Sequence, residues 1–80
     1  MPVAAFILLI VQVGREYDVA REIEAIAREV GVEAEVYVVY GEYDIVVKVR
    51  ADDLKKVDEL VTRVRKLPGV TRSVTLISSV

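Results

Sequence analysis

Residues 33–50 read EAEVYVVYGEYDIVVKVR, two runs of β-branched and aromatic residues on either side of Gly41-Glu42. A two-residue loop with glycine first is a type II′ hairpin turn, so Gly41-Glu42 is expected at its centre. That register sets Tyr40 opposite Tyr43, Val38 opposite Ile45, Val36 opposite Val47 and Ala34 opposite Val49, an apolar side that should meet a core. On the other side Glu35 falls opposite Lys48 and Glu33 opposite Arg50. Opposite charges facing each other across two strands contribute roughly 0.2–1 kcal/mol per pair. A slip of one residue would break both pairs and turn every side chain to the wrong face. Nearer the turn, Tyr37 falls opposite Val46 and Val39 opposite Asp44, so this face passes from charged to apolar and ends on a carboxylate.

The remaining segments build outward from the hairpin. Val3–Val13 is an almost unbroken apolar run ended by Gly14, which predicts a strand buried on both sides. In Tyr17–Val30 the residues Val19, Ile23, Ile26 and Val30, with Ala27 beside them, make one helical face, Glu24 and Arg28 can pair on the other, and Gly31 is placed to end the helix. A second helix, capped by Asp52 or Asp53, is expected through about Leu67 with Leu54, Val57, Leu60, Val61 and Val64 apolar. Arg63, Arg65 and Lys66 suit the negative end of its dipole, and Pro68-Gly69 stops it. Val70–Val80 reads as a last strand. The order β-α-β-β-α-β with right-handed crossovers predicts an α+β, ferredoxin-like fold: a four-stranded antiparallel sheet with both helices on one face. The expected organisation is one domain over residues 1–80, with strands at Glu33–Tyr40 and Tyr43–Arg50 in the hairpin.

Composition narrows the function. The chain has 80 residues, no Cys and no His, so thiol catalysis, disulfides, Cys-based zinc sites and imidazole general bases are all excluded. Catalysis, a metal site and a cofactor are not expected; Asp52-Asp53 reads as a helix cap rather than a metal site. The net charge of −2 is spread without a basic stripe, which argues against direct nucleic-acid binding. The apolar run at Val3–Val11 is too short to span a bilayer and lacks a basic leader and cleavage site, so neither membrane nor secretion is expected and the location is read as cytoplasmic. A chain this small hides only about 60% of its unfolded surface on folding. Yet 54% of its residues are hydrophobic, and the apolar stretch of the helix-free sheet face would lie open to water in a monomer. A second sheet packed against that face, giving a homodimer, is the economical solution. The absence of Asn and the single Gln suit a heat-adapted source.

VYVVYGEYDIVVKV, followed by Asp52-Asp53-Leu54, by Leu67-Pro68-Gly69-Val70 and by the Thr/Ser-rich strand VTRSVTLISS, resembles the effector-binding domain of the leucine-responsive regulatory protein family (Lrp/AsnC), also called the RAM domain. The resemblance runs from Val3 to Ser79. Members usually carry an N-terminal helix-turn-helix, whereas this chain begins directly with the first strand, so it is similar to a stand-alone form of the domain. The resemblance implies a dimeric αβ-barrel arrangement, dimers joined into rings such as octamers, and a small amino acid bound at a subunit interface. It also implies modulation of full-length Lrp/AsnC transcription regulators by shared subunits.

An amino acid needs an oxygen for its ammonium group and N–H donors for its carboxylate. Asp44, which the family ties to effector response, can serve the first; the backbone at Gly41, Glu42 and Tyr43 can serve the second, since glycine permits close approach. Hydroxyls of Thr71 and Thr75, from the last strand of another subunit, can complete the cage. Each has a plainer reading: Asp44 bonding backbone N–H groups, Tyr40 and Tyr43 as a core pair, and the threonines as ordinary strand residues. Three other functions stay open: a purely structural oligomerisation module, an ACT-like amino-acid-binding domain using Gly14 after the first strand, and a small αβ-barrel enzyme.

Overall fold

The computed structural model describes residues 2–78. Its elements are β1 (Val3–Val11), α1 (Glu16–Val30), β2 (Glu33–Val38), β3 (Ile45–Ala51), α2 (Leu54–Arg65) and β4 (Val70–Ser78). The strands form one antiparallel sheet in the order β2-β3-β1-β4. This is the expected α+β, ferredoxin-like arrangement. The continuation of β4 to Val80 lies outside the described residues.

Each helix is set by its apolar face and its caps. Val19, Ala20, Ile23, Ile26, Ala27 and Val30 of α1 are buried, as are Val57, Leu60 and Val64 of α2. These pack on Ala5, Ile7 and Leu9 of β1 and Ile45, Val47 and Val49 of β3, all six fully buried. Truncating an aliphatic side chain at such a site typically costs about 2–5 kcal/mol. Helix α1 ends at Gly31, whose φ of 87° is a left-handed conformation that suits glycine, and the Gly31 N–H donates to the Ala27 carbonyl at 2.9 Å. Lys56 of α2 donates through Nζ to the Val30 carbonyl at 2.9 Å, so one helix caps the other. Of the two candidate caps of α2 it is Asp53 that accepts from the Lys56 N–H, at 3.0 Å. Arg63 reaches Glu29 at 2.7 Å across the helix pair. Glu24 and Arg28, expected to pair, form no ion pair among the described residues; Asp18 instead pairs with Arg21 at 2.8 Å and Arg15 at 3.7 Å.

The hairpin register is the expected one: Glu33 faces Arg50, Ala34 faces Val49, Glu35 faces Lys48, Val36 faces Val47, Tyr37 faces Val46 and Val38 faces Ile45. The Glu35–Lys48 ion pair closes to 3.9 Å. Carried across the sheet, this register builds two rows on the helix-free face: Tyr37, Val46, Leu8, Val74, and then Glu35, Lys48, Phe6, Leu76. Phe6 is 36% exposed there and Leu76 51% exposed. Strand β1 is therefore covered on its helix side and only half-covered on the other within one chain.

Candidate functional site

The segment between β2 and β3 is wider than a two-residue turn. The last rung is the Val39 N–H donating to the Asp44 carbonyl at 2.8 Å, and no hydrogen bond closes Tyr43 onto Tyr40 among the described residues. Tyr40 is 97% exposed, so it is not the core-facing partner of the half-buried Tyr43. Gly41 keeps a positive φ of 120°, which accounts for glycine at that position.

Asp44 explains why the hairpin opens early. Its N–H donates to the Leu9 carbonyl at 2.8 Å, and its Oδ2 accepts from the Val11 N–H, also at 2.8 Å. The side chain thus stands in for a backbone carbonyl at the end of β1, and the chain follows β1 rather than continuing its ladder with β2. A carboxylate accepting from a backbone N–H is a charge-assisted bond, stronger than its neutral counterpart. No bond to Asp44 Oδ1 occurs among the described residues. The plainer reading of Asp44 is therefore realised within the single chain, with one oxygen of the carboxylate anchored and the turn residues Gly41 and Glu42 exposed beside it.

Thr71 and Thr75 lie elsewhere. Both line a surface groove of about 610 Å³ between α2 and the outer edge of β4, together with Val61, Arg65, Val70 and Ser73. Thr71 also donates its hydroxyl to the Ile10 carbonyl at 3.1 Å. The groove continues past Thr75 to Leu54 and Ile77, which are 56% and 50% exposed although both stand on the helix side of the sheet. Among the described residues, the groove that holds both threonines includes no residue of the turn. Gly14, at the end of β1, has a φ of 90° and open space where a Cβ would stand.

Electrostatics single out one further group. The Tyr37 hydroxyl donates to Glu35 Oε1 at 2.7 Å. That hydrogen bond first, and then the negative charge of Glu35, hold the Tyr37 phenol above its ordinary value. Among the described residues no three His, Cys, Asp or Glu side chains cluster as a metal site, and no helix is long and apolar enough to cross a membrane.

Sequence reasoning could not reach the Val11 N–H or the Ile10 carbonyl as partners, since backbone groups leave no mark in the residue pattern. The exposed Leu54 and Ile77 were hidden differently: Leu54 fits the helical spacing of the buried Val57, Leu60 and Val64, and Ile77 lies opposite the buried Ala5 of β1.

Comparison with known proteins follows the same lines. Residues 4–79 match the Lrp/AsnC ligand binding domain. No curated protein sequence matches the chain. Among solved structures, it is similar to the hypothetical protein PHS023 from Pyrococcus horikoshii, at 40% identity and a TM-score of 0.81, covering 98% of this chain and 90% of that one. FFRP-DM1 is similar at 42% identity and a TM-score of 0.80, covering 95% of this chain and 97% of that one. A feast or famine regulatory protein from M. tuberculosis, solved in complex with L-methionine, shares the fold at 24% identity and a TM-score of 0.67, covering 98% of this chain and 50% of that one.

Proposed function

The chain belongs to the Lrp/AsnC ligand-binding-domain family, and on that premise we propose that it is a regulatory module that senses a small amino acid at the turn around Asp44. The observation that carries this reading is the Asp44 carboxylate itself. It is half-buried, oriented by the Val11 N–H through one oxygen, and flanked by the exposed residues Gly41 and Glu42. A pre-oriented carboxylate suits an ammonium group because little further ordering is needed on binding. The L-methionine complex of the M. tuberculosis protein supports the ligand class.

The binding form is a homodimer joined through the helix-free sheet face, where Phe6, Leu8, Tyr37, Val46, Val74 and Leu76 form one apolar surface. Dimers assemble further, to an octamer, bringing the β4 strand of one subunit, with Thr75, toward the Asp44 turn of another. The assembly works in the cytoplasm and modulates full-length Lrp/AsnC regulators by exchanging subunits, with no direct nucleic-acid contact, no cofactor and no catalysis of its own.

The test measures melting temperature and assembly mass with each of the twenty standard amino acids, for wild type and Asp44→Asn. A ligand that binds only the native state stabilises by mass action, about 2.7 kcal/mol at one hundred times its Kd. At least one amino acid should raise the melting temperature of wild type and lose most of that effect in Asp44→Asn. A flat response to all twenty leaves an oligomerisation module with no such ligand and refutes the sensor.

A further inference from the structure

The peptide group joining Ile10 to Val11 is held at both ends by side chains. Its carbonyl accepts the Thr71 hydroxyl at 3.1 Å, and its N–H donates to Asp44 Oδ2 at 2.8 Å. The two side chains come from opposite neighbours of β1: Asp44 leads into β3, and Thr71 belongs to β4. At this same peptide the pairing of β1 with β4 changes register. Ile10 faces Arg72 and Val11 faces Val70, so Thr71 is the extra residue of a bulge. Two strand spacings separate Asp44 from Thr71 within one chain, roughly 10 Å.

We propose that Thr71 is a positioning residue for the Asp44 carboxylate, acting through the Ile10–Val11 peptide, and that it sets how firmly the turn holds an amino acid's ammonium group without touching the ligand. This deepens the proposed function and rests on it for the ligand, though not for the coupling.

The hydrogen bonds run in one direction, from the Thr71 O–H to the Ile10 carbonyl and from the Val11 N–H to Asp44 Oδ2. A donor on an amide oxygen draws electron density from the amide nitrogen and makes its N–H a stronger donor, by something like 10–30% per link. The Asp44 carboxylate is the terminus of that chain. Losing the first link weakens the last, and a less firmly held carboxylate must be ordered again when the ligand arrives. The coupling is reciprocal: a change at Asp44 alters the bond that Thr71 makes on the far side of β1.

The experiment uses the full chain labelled with ¹⁵N, as wild type, Thr71→Val and Thr71→Ser, with the Val11 amide as reporter and L-methionine as probe. In Thr71→Val the Val11 amide proton should move upfield and exchange faster with solvent, while Thr71→Ser, which keeps the hydroxyl, should match wild type. L-methionine should bind Thr71→Val more weakly, by at most about four-fold, the size expected when such a link is removed from a charge-assisted bond. An unmoved Val11 amide in Thr71→Val overturns the proposal, because the link from Thr71 to the Asp44 carboxylate runs through that N–H. An unmoved Val11 amide with weakened L-methionine binding overturns it too, and assigns Thr71 a direct ligand contact. If L-methionine fails to bind wild type while the Val11 amide responds as expected, the positioning role stands and L-methionine is excluded as the turn's ligand. Should Thr71→Val not fold, Asp44→Asn reads the link from its other end. The Thr71 resonances should then shift across β1, and unchanged Thr71 resonances would refute the coupling.

Discussion

Replacing Asp44 with alanine removes the only acceptor that the described structure offers to the side of Val11 facing β3. The Val11 N–H would be left without a partner at a partly buried position, and water could reach it only in part. A hydrogen bond to a charged group nets about 1.5–3 kcal/mol, and the half-exposed carboxylate puts Asp44 near the low end, about 1.5 kcal/mol. Unfolding entropy near 2.1 cal/mol/K per residue gives about 170 cal/mol/K for a chain of this length, so the melting temperature should fall by about 9 °C. Asp44→Asn keeps an acceptor in the same place but loses the charge, which roughly halves the bond and the shift. Circular dichroism melts of the three proteins at one fixed concentration measure both values; the concentration must be held because association shifts the midpoint. If Asp44→Ala melts within about 2 °C of wild type, well under the shift expected for a bond of this kind, the carboxylate does not anchor β1 and the account of the turn is wrong.

Two further outcomes check other parts of the structure. Leu76→Glu places a charge beside Phe6 on the helix-free face; if a second copy covers that face, wild type sediments as a dimer or larger and the variant as a monomer, whereas equal masses would rule out this face as the interface. Tyr37 should be the tyrosine whose ionisation is held back. Its folded-state value is raised, so the stability it contributes is complete below the ordinary phenol range and is lost as pH rises through the raised value. In an ultraviolet titration of the four tyrosines one should therefore ionise late, and Glu35→Gln should bring it back toward the others; a titration unchanged by Glu35→Gln contradicts the Tyr37–Glu35 bond.

The sequence by itself determined the order of elements, the hairpin register and the two helix faces. These rest on periodicities that burial imposes on residues close together in the chain. Charged pairs at Glu35–Lys48 and Glu33–Arg50 admit one register because a strand alternates its sides, and Val19, Ile23, Ile26 and Val30 admit one helical face because the helix turns in under four residues. The turn was legible in its glycine and not in its width. Gly41 does hold the positive φ, but where the hairpin opens depends on Asp44 bonding to β1, a strand that the hairpin sequence does not contain.

The same limit governs the candidate site. Asp44 could be singled out as an acidic residue where an apolar strand should begin, yet its partner is a backbone N–H 33 residues away. Thr71 was legible only as a strand hydroxyl; its place in the bulge and its bond to Ile10 arise from how β4 registers on β1. The sheet order decides both. By setting β1 between β3 and β4 it brings Asp44 and Thr71 to the two ends of one peptide group, and because every residue carries such a group, no residue pattern could have marked that one.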